Sequence, residues 1–507
     1  MAKEVLVNAG AAEIRVAIVE DGRLYELFLE RLIGNDDGEL RRRGGERSGH
    51  SLIGNIILGR VQRVLPGMQA AFVDIGNDRA GFLGAREARC LAGLLGFDDD
   101  RAPKIGDCVR EGEEIIVQVI KDPIGEKGAR LSANVTIPGR LLVLVPNQSG
   151  IALSRRITDE AERARLTGIC ETMLAEGGKL AEGAGYIVRS AAIGAPLADL
   201  REDAERLAQT WQPVMERRRN ARVPSTLYQD LDPIERTMRD EVDARTARVV
   251  IDDRQALEAA RAYCRRAMPE TEAKLELFTG PGMLFDMYDL EDEIESLSRP
   301  RVPLPSGGWI TVEGTEALTA IDVNSGRFTE STGLEETSLK VNLEASHEIG
   351  RQLRLRGVGG LVVVDFIHLN EPENIQKVLD ALNVSLSTDC TPTQISGMSE
   401  FGLVEITRKR IRDPLVKLWT DHCSACEGTG RRRTVESIGL EIIRRVEQEA
   451  AATPGKAVVV RTTPDVMRWF LAHEDEIRTG LARRGAPRVR FQERGEFASE
   501  GFDVAVA

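Results

Sequence analysis

Two apolar runs that each end on an aspartate do most to constrain how this chain can fold. They are Ala317-Leu318-Thr319-Ala320-Ile321-Asp322 and Gly360-Leu361-Val362-Val363-Val364-Asp365. A helical stretch from about Glu335 to Arg356 separates them, and a second amphipathic stretch, Glu373 to Ser387, follows. Strand, helix and strand in that order, with apolar strands, predict an α/β sandwich whose buried strands are partly parallel. A lone carboxylate inside such a run is expensive to bury. Each aspartate therefore belongs at the carboxyl end of its strand, facing a crevice, where α/β folds present ligand-binding groups. Two carboxylates on neighbouring strands can hold one Mg²⁺ and leave room for water. Asn324 stands where it could orient that water or a phosphate oxygen. The plainer alternative is that each aspartate accepts loop hydrogen bonds or pairs with Arg327 or Arg354.

Other segments predict further modules. Residues 1–33 read as short strands, with Glu20-Asp21-Gly22 as a hairpin turn. The polar stretch Gly34 to His50 has nothing to build a core and reads as a surface insertion. From Ile53 to about Ala133, short strands bend at glycines, which suits a small closed barrel such as an OB-fold. Phe72, Phe82, Lys121 and Lys127 fall in this part; aromatics and cations on such a face stack and cradle single-stranded bases. A core role for one of the two rings is the alternative. Residues 134–230 mix strands with charged helices, 231–297 return to strand and helix, and 434–507 form a small α/β tail.

Charge and cysteine usage narrow the class. Against 68 Lys+Arg stand 81 Asp+Glu, a net charge of −13, so indiscriminate coating of nucleic acid or anionic lipid is excluded while local basic strips are not. Arg351, Arg354 and Arg356, and then Arg408, Lys409, Arg410 and Arg412, read as such strips; a solvated helix face is the alternative. No run approaches the ~18 apolar residues of a membrane span, and the first residues do not form a signal peptide. Seven cysteines, five of them scattered singly, suit a reducing cytoplasm. Cys423 and Cys426 form a C-x-x-C knuckle in a glycine-rich loop. Structural zinc wants four ligands. A second chain could supply the other pair, His422 could contribute, or the pair could hold no metal; a redox role suits a helix start better than this loop.

The segments QAAFVDIGNDRAGFL, GYIVRSA, LPSGGWITVEGTEALTAIDVNSGR, NLEASHEIGRQLRLRGVGGLVVVDFI, FGLVEITRKR and CSACEGTG occur in an order that resembles the ribonuclease E/G family, over nearly the whole chain. The resemblance implies a multidomain α/β protein. Residues 1–45, with the 34–50 insertion, and 231–297 would form an RNase H-like subdomain. Inserted in it would be an OB-fold RNA-binding domain, 46–133, and a 5′-sensor domain, 134–230. Residues 298–419 would be a DNase I-like catalytic domain, 420–433 a zinc link, and 434–507 a small dimer-associated domain.

The resemblance also implies roles. Asp322 and Asp365 match Mg²⁺-binding catalytic aspartates and Asn324 a catalytic asparagine. Cys423 and Cys426 match zinc ligands shared between two chains, making a homodimer, with tetramers left open. Phe72, Phe82 and Lys127 match RNA-gripping positions, with Lys121 nearby. Gly139, Val143, Arg155, Arg189 and Ser190 match a pocket for a 5′-monophosphate. The implied activity is Mg²⁺-dependent cleavage of single-stranded RNA to 5′-phosphate and 3′-hydroxyl ends, in ribosomal RNA processing or messenger RNA decay, favouring 5′-monophosphorylated RNA.

The sequence departs from the family at Ser190 (threonine is usual), Ser424 (proline) and Glu400 (arginine), and Asp389 to Pro392 lacks the cations often found there. Two rival functions remain: an RNA-binding protein that does not cut, which the intact Asp322, Asn324 and Asp365 set disfavours, and a metal-dependent deoxyribonuclease, which rests on fold analogy alone.

Overall fold

A computed structural model describes residues 3–32, 51–94, 103–123, 128–176, 181, 183–326, 333–389, 391–421, 423–426, 428–486, 488–497 and 500–506. The 34–50 insertion, Lys127, Arg327 and His422 lie outside the described residues. The chain divides into two compact units, Met1–Pro414 and Leu415–Ala507.

The first unit contains four sheets. One is continuous in space but split in sequence: its strand order is Leu275–Leu277, Thr246–Ile251, Lys3–Ala9, Glu13–Glu20 and Arg23–Arg31. The residues between 31 and 246 leave this sheet and return to it. They build a barrel in which Ile56–Leu65, Ala70–Asp74, Gly81–Gly84, Arg130–Ser132 and Glu114–Lys121 follow one another, and the last strand pairs back onto the first. Closure removes the exposed edges a short sheet would have. Val61, Ala71, Val73, Leu83, Val117 and Leu131 fill the interior. Ser225–Tyr228 returns to pair beside Ile56–Leu65, so the barrel's sheet draws on a strand far from its own segment.

A four-stranded sheet follows in the order Ile151–Leu153, Gly185–Val188, Leu142–Val145, Ile137–Pro138, packed with the helices Glu160–Glu176 and Leu197–Asn220. The last sheet of the unit runs Arg301–Pro303, Trp309–Gly314, Leu318–Asn324, Gly360–Asp365, Leu403–Arg408, Thr393–Ile395. Its two central strands are parallel and joined through the helix Leu334–Arg356. Val341, Ala345, Ile349 and Leu353 of that helix pack on Ile310, Ile321, Val362 and Val364. The helix stops at Gly357, whose φ of 66° suits glycine and whose N–H closes the last turn on Leu353 and Arg354.

The opposite face of the same helix overturns one reading of the sequence. Arg351, Arg354 and Arg356 are not a basic strip; they are 7%, 5% and 3% exposed. The strand Arg23–Arg31 covers Arg351 and Arg354. Arg354 donates to Glu26 at 2.8 Å and Glu20 at 3.2 Å, and Arg351 to the Leu24 carbonyl at 2.8 Å and to Glu348. Arg356 donates to Gln352 and to the Leu297 carbonyl. The second cluster is divided in the same way. Arg408 is buried and paired to Asp389 at 2.6 Å, and Arg412 donates to the carbonyls of Leu27 and Arg354. Only Lys409 and Arg410 of that run are exposed. These arginines are internal braces, neither a phosphate strip nor a solvated face.

The second unit packs the helices Val435–Ala452, Pro464–Ala472 and Glu474–Arg483 on a three-stranded sheet, Val489–Glu493, Val458–Thr462, Phe502–Val506. Among the described residues, no helix is long and apolar enough to cross a membrane.

Candidate active site and nucleic-acid interface

Asp322 and Asp365 are direct register partners on the two parallel central strands. Their neighbours Ile321, Val323 and Val364 point into the core, so strand alternation turns both carboxylates to the outer face, where both are exposed. Asn324 lies on the same face and donates from Nδ2 to Asp322 Oδ2 at 2.6 Å. Arg354, one candidate partner for these aspartates, is engaged elsewhere. Among the described residues nothing donates to Asp365.

Two residues that the sequence did not single out hold the segment after Asp365. Asn342, fully buried in the long helix, donates to the Ile367 carbonyl at 2.7 Å and accepts from the Ile367 N–H at 3.0 Å. Glu335, in the first turn of that helix, accepts from the backbone of Asn370 and Glu371 and from the Asn374 amide. Those donors, the Asn370 N–H foremost, lower its pKa to about 2. The only sequence signal for Asn342 is a polar residue at a core-facing helical position.

On the barrel, Phe72 and Phe82 are register partners, both half-buried, with ring centroids 6.0 Å apart in an edge-to-face arrangement. Neither is lost to the core. The register extends the pair into a row across five strands: Arg63 opposite Phe72, Phe82 opposite Arg130, and Arg130 opposite Lys121. All three cations are exposed and unpaired among the described residues. Arg63 and Arg130 were not singled out in the sequence, because register alone brings them to the aromatic pair.

The five positions expected to take a 5′-monophosphate gather at one end of the four-stranded sheet. Gly139 N–H donates to the Leu142 carbonyl, Arg189 N–H to that of Leu141, and Ser154, next to Arg155, to that of Val188. Val143 sits one residue inside that end, opposite Ile187. Ser190 opens a short 3₁₀ turn. Gly139 has a steric reason: a Cβ there would stand 2.6 Å from the Asp203 carboxylate. That buried carboxylate accepts the N–H groups of Leu141 and Leu142, each at 2.9 Å. Arg189 donates to the Gly139 carbonyl and to Asp240 at 2.8 Å. Burial alone would raise the Asp240 pKa, but Arg239 and Arg189 hold it below the usual range. Arg155 is exposed and unpaired among the described residues.

The chain is also similar to known proteins. The ribonuclease E/G family model covers residues 136–411, and the model described as "RNase E/G, Thioredoxin-like domain" covers 422–505. The chain belongs to the ribonuclease E/G family. It is 37% identical over 513 residues to ribonuclease G of Escherichia coli K12, covering all of both proteins. Against ribonuclease G of Haemophilus influenzae it is 36% identical, covering all of this chain and 99% of the relative. Ribonuclease E of Escherichia coli is 36% identical over 451 residues, which are 88% of this chain and 40% of that protein. In this member of the family, Cys423 is exposed and Cys426 half-buried. The N–H groups of Ala425 and Cys426, and the Cys426 side chain, lower the pKa of the Cys423 thiol.

Proposed function

We propose that this protein is a Mg²⁺-dependent endoribonuclease that cuts single-stranded RNA to 5′-phosphate and 3′-hydroxyl ends, in ribosomal RNA processing or messenger RNA decay. The carrying observation is the register pairing of Asp322 with Asp365, carboxylates exposed side by side with Asn324 on one face. Family membership and the ribonuclease names of its relatives support the nuclease class.

The two carboxylates fit a hard cation: oxygen-only donors on adjacent strands, solvent-facing, with no competing arginine among the described residues. When bound, Mg²⁺ would polarise the phosphodiester and lower the pKa of the attacking water. The chain's own contribution is positioning. Asn324 fixes Asp322 through its amide N–H and has its carbonyl oxygen available to the water. Asn342 and Glu335 clamp the backbone beyond Asp365, so the second carboxylate does not drift. Phe72 and Phe82 would stack bases and Arg63, Arg130, Lys121 and Lys127 would hold phosphates. The Gly139, Val143, Arg155, Arg189 and Ser190 end would take a 5′-monophosphate. There Arg155 is available at once, while Arg189 must share its guanidinium with Asp240, which makes 5′ preference moderate.

The barrel is read as OB-type, the split sheet as RNase H-like, the sheet bearing Asp322 as DNase I-like, and 434–507 as dimer-associated, with the domain limits given above. Cys423 and Cys426 supply half of a tetrahedral Zn²⁺ site, completed by a second copy. Thiol acidification by backbone donors suits thiolate ligation.

The test is a gel assay on a 5′-labelled A/U-rich oligonucleotide with and without Mg²⁺, carrying a 5′-monophosphate or a 5′-hydroxyl. Asp365→Asn should remove cleavage while RNA binding persists. Full activity in that variant refutes the assignment; cleavage of single-stranded DNA at equal rate would favour a general nuclease.

A further inference from the structure

The face that carries Asp322 and Asn324 holds a second feature that no role above uses. Trp309 is the register partner of Asn324, and Thr311 that of Asp322. Ile310 and Val312 between them point into the core, so Trp309 and Thr311 share the outer face with the carboxylates. Trp309 is half-buried and does not join the apolar cluster of this sheet. The next strand places Arg301 opposite Thr311. The Arg301 guanidinium lies over the Trp309 indole, its Cζ 3.7 Å from the ring centroid. Arg301 is exposed and, among the described residues, has no carboxylate partner. With no carboxylate to hold them, the N–H donors of the stacked guanidinium are available.

A surface cation–π contact contributes little to stability, and the indole, half-buried beside Gly326 on the carboxylate face, stays outside the apolar cluster of the sheet. Guanidinium planes and aromatic rings are the surfaces on which splayed-out RNA bases stack. Strands are spaced ~4.8 Å apart, so the Arg301 backbone stands about 10 Å from that of Asp322. That is within side-chain reach of the nucleotide adjoining a phosphate held at the carboxylates. The cation also offsets the repulsion that two exposed carboxylates exert on the RNA backbone.

We propose that Arg301 and Trp309 form a base-stacking subsite for the nucleotide beside the cleaved bond. The guanidinium, held flat by the indole, takes the base on its free face and donates N–H to the neighbouring phosphate. This rests on the endoribonuclease reading of the same face.

The test uses the full-length protein and a set of oligoribonucleotides with one cleavage site, in which each position is replaced in turn by an abasic nucleotide. The unmodified protein should lose about 5- to 100-fold in kcat/KM when one position next to the cleaved bond is abasic, the range expected of one stacked base. In Trp309→Ala and Arg301→Ala that position-specific loss should vanish, intact and abasic substrates being cut alike there, while losses at barrel-contacting positions persist. Trp309→Phe should keep most of the effect. Because the readout is a ratio within each variant, lowered stability does not imitate it. A loss that survives unchanged in both alanine variants overturns the subsite. If the unmodified protein cuts nothing, the nuclease reading fails, and the subsite is judged by binding of the same oligonucleotides in EDTA. There the position-specific loss must again disappear in Trp309→Ala, or the proposal falls.

Discussion

Arg354→Ala separates a buried brace from a phosphate ligand. The guanidinium is 5% exposed and donates to Glu26 from two nitrogens, at 2.8 and 3.0 Å, and to Glu20 at 3.2 Å. Burial alone would lower its pKa; Glu26 and Glu20 together raise it above the ordinary value. Truncation leaves two carboxylates facing each other beneath the helix. Removing one partner of a buried pair costs about 3–5 kcal/mol. At a urea m-value of about 3 kcal/mol/M that is a midpoint shift of about 1–1.7 M, read by circular dichroism on the transition of the first unit. Combining Arg354→Met with Glu20→Gln and Glu26→Gln should restore most of it, because a charge-free replacement leaves nothing unpaired. RNA affinity, measured by anisotropy across a salt series, should keep its slope. An unshifted urea midpoint together with a salt slope shallower by about one ion would show that Arg354 contacts RNA and that the burial argument is wrong.

Phe82→Ala should weaken single-stranded RNA binding about 5- to 100-fold, the value of one stacked base; unchanged affinity by anisotropy would remove the barrel from the interface. Elemental analysis of purified protein should find about half a zinc per chain. Cys426→Ser should abolish that zinc and the zinc-dependent dimer in light scattering, and one ion per monomer would contradict sharing. Glu241, partly buried, has its pKa raised to about 7, by burial first and then by Glu26, with Lys3 opposing at 3.8 Å. A raised folded-state pKa favours the protonated form, so this stability is present below pH ~4.5 and lost as pH rises towards 7. Glu241→Gln should raise the unfolding free energy from urea titration at pH 8, by about 2 kcal/mol after allowance for partial exposure, and leave it nearly unchanged at pH 4.5; equal shifts at both pH values would contradict the linkage.

The elements were legible where local pattern decides them. The helix expected over Glu335–Arg356 is observed as Leu334–Arg356, and the strands carrying Asp322 and Asp365 are neighbours; Asp365 ends its strand as expected, whereas the strand of Asp322 runs on to Asn324. A carboxylate in an apolar run is a local signal because it must reach solvent: Asp365 does so at its strand end and Asp322 on the exposed face of its strand. The arginine clusters were misread for an equally physical reason. Helical periodicity tells which face is apolar, not what covers the other face. Here the cover is a strand more than 300 residues earlier in the chain, as in the Arg354–Glu20 bond with its separation of 334. Barrel closure, the Arg63 and Arg130 ends of the aromatic row, and the Asn342 clamp are set by register or by contacts between distant segments. No window of sequence carries them.

The charge balance takes on meaning through the same burial. A protein of net charge −13 would repel RNA if its cations were spread evenly among its acids. They are not. Arg351, Arg354 and Arg408 are neutralised inside the first unit by Glu293, Glu348, Glu20, Glu26 and Asp389. Those pairs cancel within the fold and contribute little field outside it. Among the cations open to a ligand, five stand at a candidate site: Arg63, Arg130 and Lys121 in line with two aromatic rings, Arg155 at the sheet end, and Arg301 over Trp309 beside the paired aspartates. Each has an aromatic or a candidate reaction site next to it, so what attracts phosphate also positions a base or an end. Binding is therefore favoured where a cation and a positioning surface coincide, at the aromatic row and on the carboxylate face.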